Sequence, residues 1–285
     1  MKTIHVLSAS LVLAAAGCVG ADDNEEDLEE GVGVADTMMG PVKHTVLETE
    51  AGRRVVAYEV HDGRALIEGD IDIGPADAMF EVAADASVKD LPARAWSGLF
   101  ATNWPSSTIF YEPPTVAELG TTSFNNFYNA IVAIQDDTQL NFQVAYSGNR
   151  IRLRRSTDAG VSSSPVGMQG GAQTVRIATG ASTRTIVHEL LHTAGFWHEQ
   201  SRSDRDQKIE INWGCIPYDR WHNFQKEAGV SPVTYDYGSI MHYSRTAFMI
   251  DDPDCTWTIR RKDGGLWPLY SLLSPKDIES INFWY

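Results

Sequence analysis

The spacing of hydrophobic positions changes several times along this chain, and each change marks a different kind of segment. Met1-Lys2 is followed by an apolar run from Ile4 to Ala16. That run is too short to span a membrane comfortably and sits where an export signal stands. From about Val42 to Phe80 the text is strand-like, as in Thr45-Val46-Leu47 and Val55-Val56-Ala57-Tyr58. Beyond Trp104 a strand is expected at Thr108–Tyr111. Helical spacing follows over Val116–Asp136, with Phe124, Phe127, Tyr128, Ile131 and Ile134 as its core-facing positions. Leu140–Ala145, Ile151–Leu153 and Thr174–Ile177 read as strands, and Ser162–Gly167 as a loop. Thr185–Thr193 reads as a helix, the text after it is loop-rich, and a closing helix runs from about Pro275 to Ile281. There is no internal repeat.

Charge sharpens the division. The chain of 285 residues carries a formal charge of −15. Residues 22–94 hold 19 acidic and 6 basic side chains, whereas residues 95–285 hold 19 and 16. The acidity therefore belongs to the leader. Asp22, Asp23, Glu25, Glu26, Asp27, Glu29 and Glu30 form a run that reads as a solvated tether. Nothing provides the basic surface that nucleic-acid binding requires.

The chemistry is concentrated between His188 and His198, in H-E-L-L-H-T-A-G-F-W-H. His188 and His192 stand four apart, so on a helix they project from one face. Gly195 can end that helix in a left-handed conformation. The chain then turns back and brings His198 in as a third nitrogen. Three imidazoles around Zn²⁺ leave one position open to water, the arrangement of a catalytic site. Glu189 stands beside the first ligand as candidate general base. The long motif followed by a methionine turn, here Ser239-Ile240-Met241-His242-Tyr243, is the metzincin signature.

The match narrows to one family. His198–Asp206, Ser239–Tyr243, Ile211-Asn212-Trp213 with Asn223-Phe224, Leu273–Ile278 with Tyr285, and Trp104-Pro105 through Tyr111 resemble the astacin family of zinc endopeptidases. The resemblance covers about residues 95–285. It implies an α+β, zincin-like catalytic domain with a mixed twisted sheet, an active-site helix and a loop-rich C-terminal half, preceded by a propeptide. It implies one catalytic Zn²⁺ on His188, His192 and His198, Glu189 as base, and Met241 as an apolar floor beneath the imidazoles. Tyr243 resembles the tyrosine that ligates zinc at rest and stabilises the oxyanion. Glu199 matches the glutamate that pairs with the new N-terminus after maturation. Ile67-Glu68-Gly69-Asp70 resembles a propeptide motif whose aspartate, here Asp70, occupies the open zinc position; Ile67 replaces its phenylalanine. The peptide-accepting sheet edge falls near Val161–Val166.

The expected organisation is a signal at 1–21, an acidic tether and propeptide at 22–94, and a protease domain at 95–285, with Ala93-Arg94-Ala95 as the candidate maturation site. Ala15-Ala16-Gly17-Cys18 resembles a bacterial lipobox, with Cys18 lipidated; ordinary signal cleavage is the alternative. Both export the protein, secreted or lipid-anchored at the cell envelope. Cys215 and Cys255 are then left as a pair, and in an exported protein such a pair is read as a disulfide, with two free thiols as the alternative. Protein or peptide substrates and a monomeric state are expected. A non-catalytic zinc-stabilised binding protein fits less well, because Glu189 is retained and a structural site closes all four positions. A zinc amidase acting on cell-wall peptide would use the same motifs. Of the other histidines, His5 lies in the signal, His44 and His61 lie in the leader, His222 reads as structural, and His242 is expected to point away from Tyr243.

Overall fold

The structure is a computed structural model that describes residues 41–49, 52–90, 97–98, 103–158, 160–227 and 232–285. The expected export signal, Cys18, the acidic run and Ala93-Arg94-Ala95 lie outside those residues. Among the described residues no helix is long and apolar enough to cross a membrane.

The alternating leader text forms a sheet of its own. Strands β1 (Lys43–Thr49), β2 (Gly52–His61), β3 (Arg64–Ile67) and β4 (Ile71–Pro75) pair antiparallel in succession, and β5 (Ser97–Gly98) joins the outer side of β1 in parallel. The β2–β3 hairpin closes on Asp62-Gly63, whose φ values of 50° and 70° suit a two-residue turn of the primed type. Leu47, Val56, Tyr58, Ala65, Ile67, Ile71 and Ile73 form the core of this sheet, and Val166 and Trp197 from beyond it complete that core. Alternate side chains of the leader are thus buried against the rest of the chain.

The second sheet combines β6 (Thr108–Glu112), β7 (Asn141–Val144), β8 (Arg150–Arg155) and β9 (Ala172–Ile177) in the order β7-β6-β8-β9, all parallel. Ser163 adds an antiparallel bridge to Arg176 on the free side of β9, which makes the edge mixed. The single helix expected over Val116–Asp136 is two helices. A capping box between Thr115 and Glu118 starts α1 (Val116–Leu119), Gly120 breaks it at φ 77°, and α2 (Thr121–Asp137) resumes. Apolar periodicity does not register such a break, because the buried face continues on the far side of the glycine.

Helix α3 (Thr183–Ala194) starts on Ser182, whose side chain accepts from Thr185 N, and packs on α2. Ile186, Val187, Leu190 and Leu191 enter the main core beside Phe127, Ile131, Ile134, Ile151, Leu153 and Val175. Burying each of these aliphatic side chains contributes about 1.5–3 kcal/mol. The rest of the chain is loop-rich, as expected. It carries β10 (Ile209–Ile211) paired with β11 (Ile259–Arg261), a Cys215–Cys255 disulfide with Cα atoms 5.5 Å apart, and α4 (Pro275–Trp284).

Candidate active site

The face of α3 that carries His188 and His192 is completely buried, and Gly195 ends the helix as the spacing predicts. Its φ is 107°, its amide donates to His192 O and Leu191 O, and a Cβ there would meet Asn103 Oδ1 at 3.1 Å. The reversal delivers His198 opposite the helix.

The three imidazoles converge on the carboxylate of Asp70. His188 Nε2 lies 3.2 Å from Asp70 Oδ2, His198 Nε2 3.3 Å from it, and His192 Nε2 3.6 Å from Oδ1. His188 and His198 present their Nε2 atoms to each other at 3.3 Å. One ligand atom from each of Asp70, His188, His192 and His198 lies within 4.8 Å of all the others, and all four residues are buried.

Each remaining ring nitrogen is held. His188 Nδ1 donates to Ile240 O at 2.8 Å, His192 Nδ1 to Phe196 O at 2.7 Å, and His198 Nδ1 to Glu68 Oε2 at 2.8 Å. Ser201 Oγ donates to the same Glu68 oxygen at 2.8 Å. These bonds fix the proton on Nδ1 and turn the Nε2 lone pairs inward.

The donor set fits zinc. Ligand nitrogens about 2.0–2.1 Å from a tetrahedral ion stand ~3.3–3.4 Å apart, close to the separations found here. His192 Nε2 and Asp70 Oδ1 are buried without a hydrogen-bond partner. Burial opposes charge on His198, but Asp70 and Glu68 together push its pKa up to about 10. Burial lowers His192 to about 4, with its histidine neighbours adding to the effect against the pull of Asp70.

Glu189 lies behind this group. Its Oε2 accepts from Ser164 Oγ at 2.6 Å, while Oε1 is buried and unpartnered. Burial and the Asp70 charge lift its pKa well above the ordinary carboxylate range. Asp70 itself is held well below that range, because His198 and the three imidazole contacts outweigh its burial.

Asp70 reaches the centre because Glu68 and Gly69 turn the chain at φ 50° and 77°. Beyond the turn the backbone lies on the expected edge: Ser164 N donates to Asp70 O and Asp72 N to Ser164 O, both at 3.0 Å. Ile71 and Ser164 pair in parallel.

The methionine turn is held by α4. Met241 is buried in the main core. Asp277, in the first turn of α4, accepts from Ser239 Oγ at 2.6 Å, Ile240 N at 3.0 Å and Ser274 N at 2.9 Å. Tyr243 is buried with its ring centroid 4.9 Å from that of His198, and its hydroxyl donates to Glu68 O at 2.6 Å. His242 turns its ring to Tyr235 and Trp267, but its Nδ1 donates to the backbone carbonyl of Tyr243 at 2.7 Å, so the ring stays bonded to Tyr243 instead of pointing clear of it. Glu199 pairs with Arg202 at 3.1 Å and accepts from Asp236 N at 2.7 Å; burial lifts its pKa to about 7. His222 packs beside Glu59, with Nε2 3.4 Å from its carboxylate.

Four contributors were not assigned roles in the sequence: Glu68, Ser164, Gln200 and Asp277. Gln200 Oε1 accepts from Tyr243 N at 2.9 Å. Only Asp277 had a readable local signal, a Ser-x-x-Asp capping box at Ser274.

Residues 99–285 match the profile of the astacin peptidase family. The zinc metalloproteinase nas-6 of Caenorhabditis elegans is 41% identical over 130 residues, 43% of this chain and 37% of that protein. The low choriolytic enzyme of Oryzias latipes is 61% identical over 64 residues, 22% and 24% of the two chains. Each match thus spans well under half of its curated relative. Among solved structures, High choriolytic enzyme 1, a hatching enzyme zinc-protease from Oryzias latipes, superposes with a TM-score of 0.56 at 30% identity, covering 65% of this chain and 92% of that one. With a family profile matched over more than half its length, the chain belongs to the astacin family.

Proposed function

We propose that this protein is a zinc-dependent endopeptidase made in latent form, with residues 22–94 as its propeptide and 95–285 as its protease domain. The observation that carries the reading is Asp70, seated among the Nε2 atoms of His188, His192 and His198. An anionic side chain in the position left for water is a block, and the backbone that follows it covers Ser164, where a peptide would pair.

His188, His192 and His198 would hold the zinc, which would supply a water of lowered pKa, roughly 7, and a Lewis acid for the scissile carbonyl. Glu189 takes the proton from the attacking water and passes it to the leaving amine. Departure of Asp70 removes a negative charge that raises the Glu189 pKa. Tyr243, released from Glu68 O, turns its hydroxyl to the developing oxyanion. Ser164 then offers its backbone to the substrate. Glu199 takes the new N-terminus as a counter-ion. Export by the segment at 1–21, with Cys18 lipidated or removed, places the enzyme outside the cytoplasm.

The test is a digest. The purified chain is incubated with a peptide library before and after limited proteolysis of the segment around Ala93-Arg94-Ala95, and products are read by mass spectrometry. Internal cleavage should appear after processing and disappear with a zinc chelator. A processed, zinc-loaded protein that cuts no peptide bond sinks the reading.

A further inference from the structure

Arg176 sits on β9, one strand in from the cleft. Its backbone closes the bridge with Ser163, donating to Ser163 O at 2.8 Å and accepting from Ser163 N at 2.9 Å. The next residue on that edge, Ser164, pairs with the chain lying in the cleft. The Arg176 guanidinium reaches across this edge. Its Nε donates to Asp62 Oδ2 at 2.9 Å and its Nη1 to Asp72 Oδ2 at 3.2 Å.

Both carboxylates belong to the N-terminal segment, and Asp72 stands two positions after Asp70. Asp72 is almost fully buried; its other partners, Arg64 Nε and Gly74 N, lie on its own hairpin. Loss of the segment would carry away Asp62, Asp72 and Arg64 together. The carboxylate of Asp158, which stays behind, faces His61 Nδ1 and Asp62 N. With the segment docked, the Arg176 side chain is only 18% exposed. Loss of the segment frees the guanidinium of both carboxylates, and its planar donor fork selects carboxylates over neutral amides.

We propose that Arg176 is a specificity-determining residue that receives an acidic side chain of the peptide substrate, at one position close to the scissile bond. The proposal rests on the endopeptidase reading above. The segment's Asp62 and Asp72 occupy the place that a substrate aspartate or glutamate takes in the processed enzyme.

The test uses the processed, zinc-loaded protein and a peptide library randomised on both sides of the cleaved bond. Wild type should enrich Asp and Glu at a single position. Paired peptides differing only in Asp or Asn there should differ in kcat/KM by about tenfold, the worth of one charged hydrogen-bonded contact. In Arg176→Gln that ratio should fall to about one, and in Arg176→Glu the position should turn to Lys. If Arg176→Gln does not fold, Arg176→Lys should lower the ratio without removing it, since an ammonium lacks the fork. Cleavage by wild type without acidic enrichment overturns the proposal, as does enrichment that survives in Arg176→Gln. No cleavage of any peptide by wild type overturns the endopeptidase reading, and Arg176 falls with it.

Discussion

The hydroxyl of Tyr243 donates to the backbone carbonyl of Glu68 at 2.6 Å, so a methionine-turn residue is tied to the segment that carries Asp70. The same glutamate takes the Nδ1 proton of His198 through its side chain. One residue of the N-terminal segment therefore holds two groups to which the proposed chemistry gives roles. Tyr243→Phe should keep zinc and leave KM nearly unchanged in the processed protein. It should lower kcat by about a hundredfold, the usual cost of losing one oxyanion donor. Steady-state kinetics on a single peptide decides it, and an unchanged kcat would remove Tyr243 from the chemistry.

Glu189→Gln isolates the base. The amide keeps the size of the side chain and one oxygen to accept from Ser164 Oγ, but it cannot take a proton from water. Zinc content by elemental analysis should match wild type, whereas hydrolysis should fall by at least about 10²–10⁴. Activity retained within tenfold would mean that another group is the base.

The three histidines of the candidate metal site could be read in the sequence because their geometry is local. A four-residue interval on a helix and a glycine that permits a left-handed turn are properties of a dozen consecutive residues. Leader strands and the disulfide were legible for similar reasons of period and cysteine count. Asp62-Gly63 marks its hairpin by composition alone. The capping box of Thr115 and Glu118 was equally present, yet it was overridden by an apolar face that runs on past Gly120. What escaped was long-range. Glu68 meets His198 across 130 positions, and Arg176 meets Asp72 across 104. No periodicity encodes such pairs, because either partner would look the same on any solvated strand.

Asp277 supports the metal site indirectly. It accepts from Ser239 and from the amide of Ile240, and the carbonyl of Ile240 orients His188. In Asp277→Asn one acceptor oxygen becomes a donor facing donors. Leaving buried N–H or O–H groups unmatched costs about 1–3 kcal/mol. We expect a lower thermal midpoint and weaker zinc retention against a chelator, with Leu190 and Leu191 still packed. A variant with wild-type zinc retention would show that the methionine turn holds its shape without α4.

Docking of the segment should depend on pH. Glu59 of β2 is held well below its ordinary 4.5 by His222, His61 and Arg220, against its own burial. An acid whose pKa falls on docking stabilises the docked state fully above its free value, and that gain is lost progressively as pH falls from 4.5 toward the docked value. His61 is raised above 6.5 chiefly by its bond to Glu59, against burial. Its gain is present below 6.5 and is lost as pH rises through the docked value. Glu227, beside Arg54 and Glu68, is pushed to about 7 by burial and by Glu68. Docking must suppress its ionisation, which also weakens the complex as pH climbs from 4.5 to about 7. A nicked chain on gel filtration should therefore keep its segment best at about pH 5–6 and lose it more readily at about pH 3 and pH 9. Glu59→Gln should flatten the acid side. Retention that stays constant over this range would show that the ionic contacts contribute nothing to docking.

Asp70→Ala separates the two parts of the block. The substitution empties the place beside the three Nε2 atoms. It leaves the segment's other contacts in place: Ile71 pairs with Ser164, Glu68 with His198, Asp72 with Arg176, and Glu59 with Arg220. Small zinc-binding hydroxamates should therefore bind the unprocessed variant far more tightly than unprocessed wild type, because the position they need is open. Peptide hydrolysis should rise only slightly, since the edge at Ser164 remains covered. Processing should then raise hydrolysis in the variant to about the wild-type processed rate, because Asp70 is gone from both. Calorimetry with a hydroxamate and peptide kinetics on the same sample separate the outcomes. An unprocessed Asp70→Ala chain that cleaves peptides as fast as the processed enzyme would show that the carboxylate is the whole block and that the edge contacts add nothing.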